Sequence, residues 1–161
     1  RVDARDRRGR TPLALACTQG HVEVVKVLIR VSSDPEAEDS LMRNVFHLAC
    51  CCPNPQVPLL LLHHCRTLLH TTDMAGRTGL TYALASVHKR SRGELVGQLV
   101  KSGANVNHVD VDGRTPLWYA VESSNWEGGN TLLRHGAKLP AGCDLHEAPR
   151  SKRDWAGDRS T

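Results

Sequence analysis

Thr11-Pro12-Leu13-Ala14-Leu15-Ala16 returns three times along the chain. It reappears as Asn44-Val45-Phe46-His47-Leu48-Ala49, as Thr78-Gly79-Leu80-Thr81-Tyr82-Ala83 and as Thr115-Pro116-Leu117-Trp118-Tyr119-Ala120. The closing alanines lie 33, 34 and 37 residues apart. An aspartate stands five residues before each opening Thr or Asn, at Asp6, Asp39, Asp73 and Asp110. Three of the four units read Asp-x-x-Gly-Arg-Thr, through Gly9, Gly76 and Gly113; the second has Met42 at the glycine position. Twelve residues after its alanine, each of three units carries an apolar pair: Leu28-Ile29, Leu61-Leu62 and Leu132-Leu133. In the third unit the distance is sixteen, to Leu99-Val100, and the basic turn from His88 to Arg92 absorbs the difference at little entropic cost.

The local chemistry of one unit is that of two short helices. Thr or Asn caps a helix start, and proline suits the first helical position because its missing N–H had no partner there. Glycine supplies backbone angles for tight turns before the first helix and after the second. Small residues such as Ala16, Ala49, Ala83 and Ala120 let the two helices approach closely. Leu and Val of the second helix then face neighbouring units. One unit cannot hide its apolar face alone, so the units must stack.

This pattern resembles the ankyrin repeat, with its period of about 33 residues and its Thr-Pro-Leu-His-x-Ala motif. The resemblance runs over roughly residues 2–137 and is closest from Asp6 to Arg30, including Gly20-His21-Val22-Glu23-Val24-Val25. It implies an all-α solenoid of helix-turn-helix units joined by β-turn or hairpin loops. Four repeats are expected within 1–137, at about 2–34, 35–68, 69–105 and 106–137. Residues 138–161 read as a degenerate fifth repeat, through Leu145-His146-Glu147-Ala148, or as a disordered basic tail. Two departures carry expectations. Pro55 and Pro58 should shorten or delay the second helix of the second unit, and Gly128-Gly129 should make the fourth unit the least stable.

Composition agrees with stacked small helices. The chain has 161 residues, 40% apolar but only 4% aromatic, so Leu, Val and Ala must do the packing. Net charge is +4, short of the density that announces nucleic-acid binding. The charge is uneven: residues 1–30 carry +4, residues 31–149 carry −2 and residues 150–161 carry +2. No apolar run approaches the roughly 20 residues needed to cross a bilayer. No secretory signal is visible and the first residue is Arg1, so an excerpt of a longer protein is expected. Six unpatterned cysteines favour a reducing compartment, the cytoplasm with the nucleus as the alternative.

Ala49-Cys-Cys-Cys-Pro-Asn-Pro-Gln-Val-Pro-Leu-Leu-Leu-Leu-His-His-Cys65 suggests metal ligands or a reactive centre. In register, however, Cys50, Cys51 and Cys52 end a first helix, whereas His63, His64 and Cys65 end the antiparallel second helix. The two clusters then sit at opposite ends of the pair and cannot share one zinc ion. Leu62-His63-His64-Cys65 lacks the aspartate of the Asp-His-His-Cys centre of palmitoyl-transferring enzymes, and the chain lacks their membrane spans. The stretch reads as structure, with Cys17 and Cys50 as buried small apolar residues. Cys51 and Cys52 align with positions that face the binding surface.

The resemblance implies a binding module without catalysis, metal or cofactor. Its partner surface would be the concave one, made of turn tips and the exposed side of each first helix. Carried over, the first unit offers Arg7, Arg8, Arg10, Thr18 and Gln19, with Arg5 beside them. The second offers Ser40, Leu41, Arg43, Cys51 and Cys52. The third offers Met74, Ala75, Arg77, Ala85 and Ser86, and the fourth Val111, Asp112, Arg114, Glu122 and Ser123. Arg10, Arg43, Arg77 and Arg114 would align in a row able to hold carboxylates or phosphates, or would merely solvate the turns. The expected partner is another protein offering an acidic or extended segment, met by a chain that is monomeric in isolation and part of a larger scaffold or adaptor. The alternative is a polyanion or nucleic acid on the basic N-terminal turn; the net −2 of residues 31–149 and the lack of interleaved aromatics weigh against it. No glycine-rich phosphate loop, His-Glu-x-x-His motif or nucleophile elbow points to an enzyme.

Overall fold

The computed structural model of the chain describes residues 2–31, 33–86 and 92–138. The candidate fifth repeat, all of Leu145-His146-Glu147-Ala148 included, and most of the basic turn after Ser86 lie outside the described residues.

Eight α-helices follow one another among the described residues, and no multi-residue strand is present there. They are α1 (Pro12–Gln19), α2 (Val22–Arg30), α3 (Val45–Cys51), α4 (Gln56–His64), α5 (Gly79–Ala85), α6 (Arg92–Lys101), α7 (Pro116–Glu122) and α8 (Trp126–Arg134). A 3₁₀ turn, Arg66–His70, follows α4. The first helices stack as one layer, α1 on α3, α3 on α5 and α5 on α7, and each is paired with the second helix that follows it. The fold is the all-α ankyrin-type stack.

The expected start signals act as caps in different ways. Thr11 and Thr115 accept from the amides of Ala14 and Trp118, with Pro12 and Pro116 at the first helical positions. Asn44 closes a reciprocal box: its Oδ1 accepts from the Phe46 and His47 amides, and His47 Nδ1 accepts from the Asn44 amide at 3.2 Å. Thr78 meets the Thr81 hydroxyl instead of a backbone amide.

One continuous apolar core runs through the helix pairs, from Leu13, Cys17 and Val25 through Phe46, Leu61, Leu80, Leu84 and Leu99 to Leu117 and Leu132. Its large and small residues are matched between neighbours. An ideal Cβ on Gly128 would lie 2.7 Å from Leu84 Cδ2, so the leucine occupies the room that glycine leaves. Packing at Gly128 is therefore supplied by the preceding pair. Pro55 and Pro58 delay the second helix of the second unit by one residue of register but do not shorten it. Helix α4 runs nine residues, as many as α2, because Pro55 sits at its N-cap and Pro58 in its first turn, where helix N–H groups need no partner.

Candidate interaction surface

Before each helix pair the chain makes a similar hairpin turn, four in all, each governed by its aspartate. Asp6 Oδ1 accepts from the amides of Arg8 and Arg10, at 2.8 and 2.9 Å. Asp39 does the same with Leu41 and Arg43, Asp73 with Ala75 and Arg77, and Asp110 with Asp112 and Arg114. The turn then needs a residue at positive φ, supplied by Gly9, Gly76 and Gly113. Adjacent hairpins are stitched together by their backbones. Ser40 N–H donates to Arg8 O, Met74 N–H to Leu41 O and Val111 N–H to Ala75 O, at 3.0–3.1 Å. His108 Nε2–H adds a bond to Gly76 O at 2.8 Å.

The arginine row is tied into these turns. Arg10, Arg43 and Arg77 each direct Nε and Nη2 to the Oδ2 of their own Asp6, Asp39 and Asp73. The Asp39 and Asp73 side chains are only 1% exposed. Burial pushes both carboxyls up, but the guanidinium and amide bonds, joined at Asp73 by the Tyr82 hydroxyl, outweigh it and hold them below the ordinary 3.8. In the fourth hairpin the roles are redistributed. Tyr119 OH donates to Asp110 Oδ2 at 2.6 Å, and Arg114 reaches Asp112 at 3.2 Å with its guanidinium 4.5 Å from the Trp118 ring centroid. Tyr82 OH likewise donates to Asp73 Oδ2 at 2.6 Å. These two tyrosines complete a polar ladder along the row.

The remaining candidates divide cleanly. Arg7 and Arg8 are exposed, and among the described residues no carboxylate pairs with either. Arg5 is turned onto the backbone carbonyls of Gly9 and Glu38. Gln19, Leu41, Met74 and Asp112 are exposed, and Thr18 is half-buried with its hydroxyl donating to Ala14 O. Ser86 and Ser123 turn inward to donate to Cys51 O and Leu84 O, which links neighbouring first helices.

The family model described as ankyrin repeats (3 copies) matches residues 1–68 and 46–142.

The chain belongs to the ankyrin repeat family.

It is similar to ankyrin repeat domain-containing protein 63 of Homo sapiens, at 32% identity over 152 residues, covering 94% of this chain and 36% of that protein. It is also similar to the B-cell lymphoma 3 protein homolog of Mus musculus, at 30% identity over 141 residues, covering 87% and 31%. A third relative is neurogenic locus notch homolog protein 1 of Mus musculus, at 28% over 146 residues, covering 89% and 6%. The chain thus spans about a third or less of these relatives' length.

Within this ankyrin frame the cysteine-rich stretch has a clear placement. Cys50 and Cys51 end α3, and His63 and His64 end α4. Cys17 and Cys50 are fully buried, and burial pushes the Cys17 thiol up to about 12. Cys52, expected at the binding surface, is buried at 2% exposure because its thiol turns back to Asn54 O at 3.1 Å. Cys51 is half-buried with its thiol towards Tyr82 O. Among the described residues no group of three or more His, Cys, Asp or Glu gathers as metal ligands, and no helix is long and apolar enough to cross a membrane.

The buried polar group that sequence reading missed is His47. Its Nε2–H donates to Thr71 O, while Asn44 Nδ2 donates to Thr71 Oγ1, so the capping box also fixes the segment after the 3₁₀ turn. Burial lowers the His47 pKa below 6.5.

Proposed function

We propose that this ankyrin stack is a non-catalytic protein-interaction module, part of a larger scaffold or adaptor. It engages its partner along the concave flank formed by the hairpin tips and the first helices. The observation that carries this reading is the backbone-stitched hairpin row, which holds side chains from four units on one rigid edge. A site on rigid elements loses little conformational freedom on binding.

Within that edge, Arg7 and Arg8 are the cations best placed for a partner, because Arg10, Arg43 and Arg77 already serve their own aspartates. The partner is therefore another protein offering an acidic or extended segment to a monomeric chain. Affinity capture from lysate with wild type and Arg7→Glu/Arg8→Glu tests this, with Lys26→Glu on α2 as the control. Loss of partners in the double variant alone is the expected result. Equal capture by all three removes this surface from the account.

The exposed Arg5–Arg8 cluster also favours a second reading, polyanion or nucleic-acid binding. Charge neutralisation within the arginine row counts against it. A salt titration against oligonucleotides separates the two, since phosphate-driven affinity falls steeply with salt. No binding at low salt eliminates the second reading.

A further inference from the structure

Met42 occupies a backbone conformation that its equivalents fill with glycine. Its φ is +57°, against +77° at Gly9, +73° at Gly76 and +75° at Gly113. A non-glycine residue there is disfavoured by its Cβ. Backbone strain of this kind clusters at binding sites and switch regions; the other non-glycine case among the described residues is Ser124, at φ +54° in a helix–helix turn. The Met42 side chain does not fill the core: it is 46% exposed, beside Leu41 at 45%.

The neighbouring hairpins continue the same surface. Met74 is 60% exposed and Val111 71%, and Val109 flanks the last tip. The backbone bonds from Met74 to Leu41 and from Val111 to Ala75 place these tips side by side. Both methionines of the chain are in this ridge. Methionine is the apolar side chain best able to adapt to varied partners.

Ten large apolar side chains among the described residues are exposed, and five of them are these. The other five, Val2, Leu15, Val24, Val27 and Val31, belong to the first helix pair and its approach. There no preceding pair packs among the described residues: Val24 is 48% exposed, while its register equivalents Val57 and Leu95 are fully buried by one. Leu41, Met42 and Met74 have no such explanation, because the second and third hairpins each have a neighbour on both sides, whereas Val109 and Val111 lie on the last described hairpin.

Resting on the interaction-module reading above, we propose a specific occupant for this row. It is an extended peptide segment of another protein, acidic at one end and aliphatic along the rest. Its acids lie against Arg7 and Arg8, and its aliphatic side chains seat on Leu41, Met42, Met74 and Val111. The direction is fixed by charge. At the far end of the row Arg114 is already paired with Asp112 at 3.2 Å, whereas the near end carries two exposed arginines that no carboxylate among the described residues pairs with.

Random peptides selected by display on the intact chain test this proposal, followed by affinity measurement of the winners on variants. Enriched peptides should pair an acidic cluster with separated aliphatic residues. Met42→Gly should raise the unfolding midpoint, by relieving the backbone, and yet weaken binding about tenfold, the scale of one hot-spot side chain. Met74→Ser, at an ordinary backbone position, and Arg7→Glu/Arg8→Glu should weaken it at least as much without unfolding the chain. Winners that bind these variants as well as wild type would overturn the ridge while leaving an interaction module that works elsewhere. Failure to enrich any peptide would count against both.

Discussion

Phe46 fills the space that a side chain at Gly79 would need. An ideal Cβ on Gly79 would lie 2.4 Å from Phe46 Cε1 and 2.6 Å from Cδ1. The one phenylalanine of the chain and the glycine that replaces proline in the third unit's Thr-Gly-Leu are thus one feature of the α3–α5 contact. Gly79→Ala should destabilise the chain by about 1–3 kcal/mol through overpacking. That outweighs the roughly 1 kcal/mol that alanine contributes to helix propensity. Chemical denaturation of Gly79→Ala, Phe46→Leu and the double variant provides the check. The double variant should recover part of the loss, a coupling expected only of residues in contact.

The two classes of arginine on the hairpin edge should respond differently to substitution. Asp73→Asn removes the acceptor for Arg77 and Tyr82 at a site that is 1% exposed, and should cost about 1–3 kcal/mol. Arg7→Glu/Arg8→Glu should leave the unfolding free energy within about 0.5 kcal/mol of wild type. Equal losses in both variants would mean that Arg7 and Arg8 are structural too.

Stability should decline with acid in two stages. His47 is buried with a pKa below the ordinary 6.5, so the unfolded chain takes up that proton first as pH falls. Its contribution is complete above pH 6.5 and is lost progressively below it. Asp39, Asp73 and Asp110 have pKa values below 3.8, and what they contribute is present above that value and lost as pH falls beneath it. Denaturation midpoints measured across this range should show the first decline in wild type and a shallower one in His47→Gln.

Cysteine labelling should separate buried from accessible thiols. The thiolate is the reactive form, and burial holds Cys17 protonated well past neutrality. Alkylation of the native chain followed by peptide mass mapping should find Cys65 and Cys51 modified ahead of Cys17, Cys50 and Cys52. Unfolding should level the rates.

The helix pairs were legible because their signals are local. A capping Thr or Asn, a proline at the first helical position and an aspartate five residues upstream act within one turn of chain. Spacing alone therefore places them. What escaped reading depends on contacts between units or on side-chain direction. The arginine row is visible as a row, but the same letters serve a partner or an aspartate, and only geometry shows Nε and Nη2 turned inward. Cys52 aligned with a surface position and is buried, because the chain after α3 bends its thiol back to Asn54 O. Gly128 reads in sequence as lost packing, whereas Leu84 of the preceding pair fills the space beside it. Met42 was legible as a missing glycine, whereas its positive φ and its exposure beside Leu41 needed coordinates.

The hairpin row is the edge proposed to meet a partner. Hydrogen–deuterium exchange of the chain with and without a bound peptide measures that edge directly. Exchange should slow at the tips around Arg7–Arg8, Leu41–Met42, Met74–Ala75 and Val111, with α2, α4 and α8 unchanged. Protection confined to those second helices, with the tips exchanging as before, would contradict that proposal.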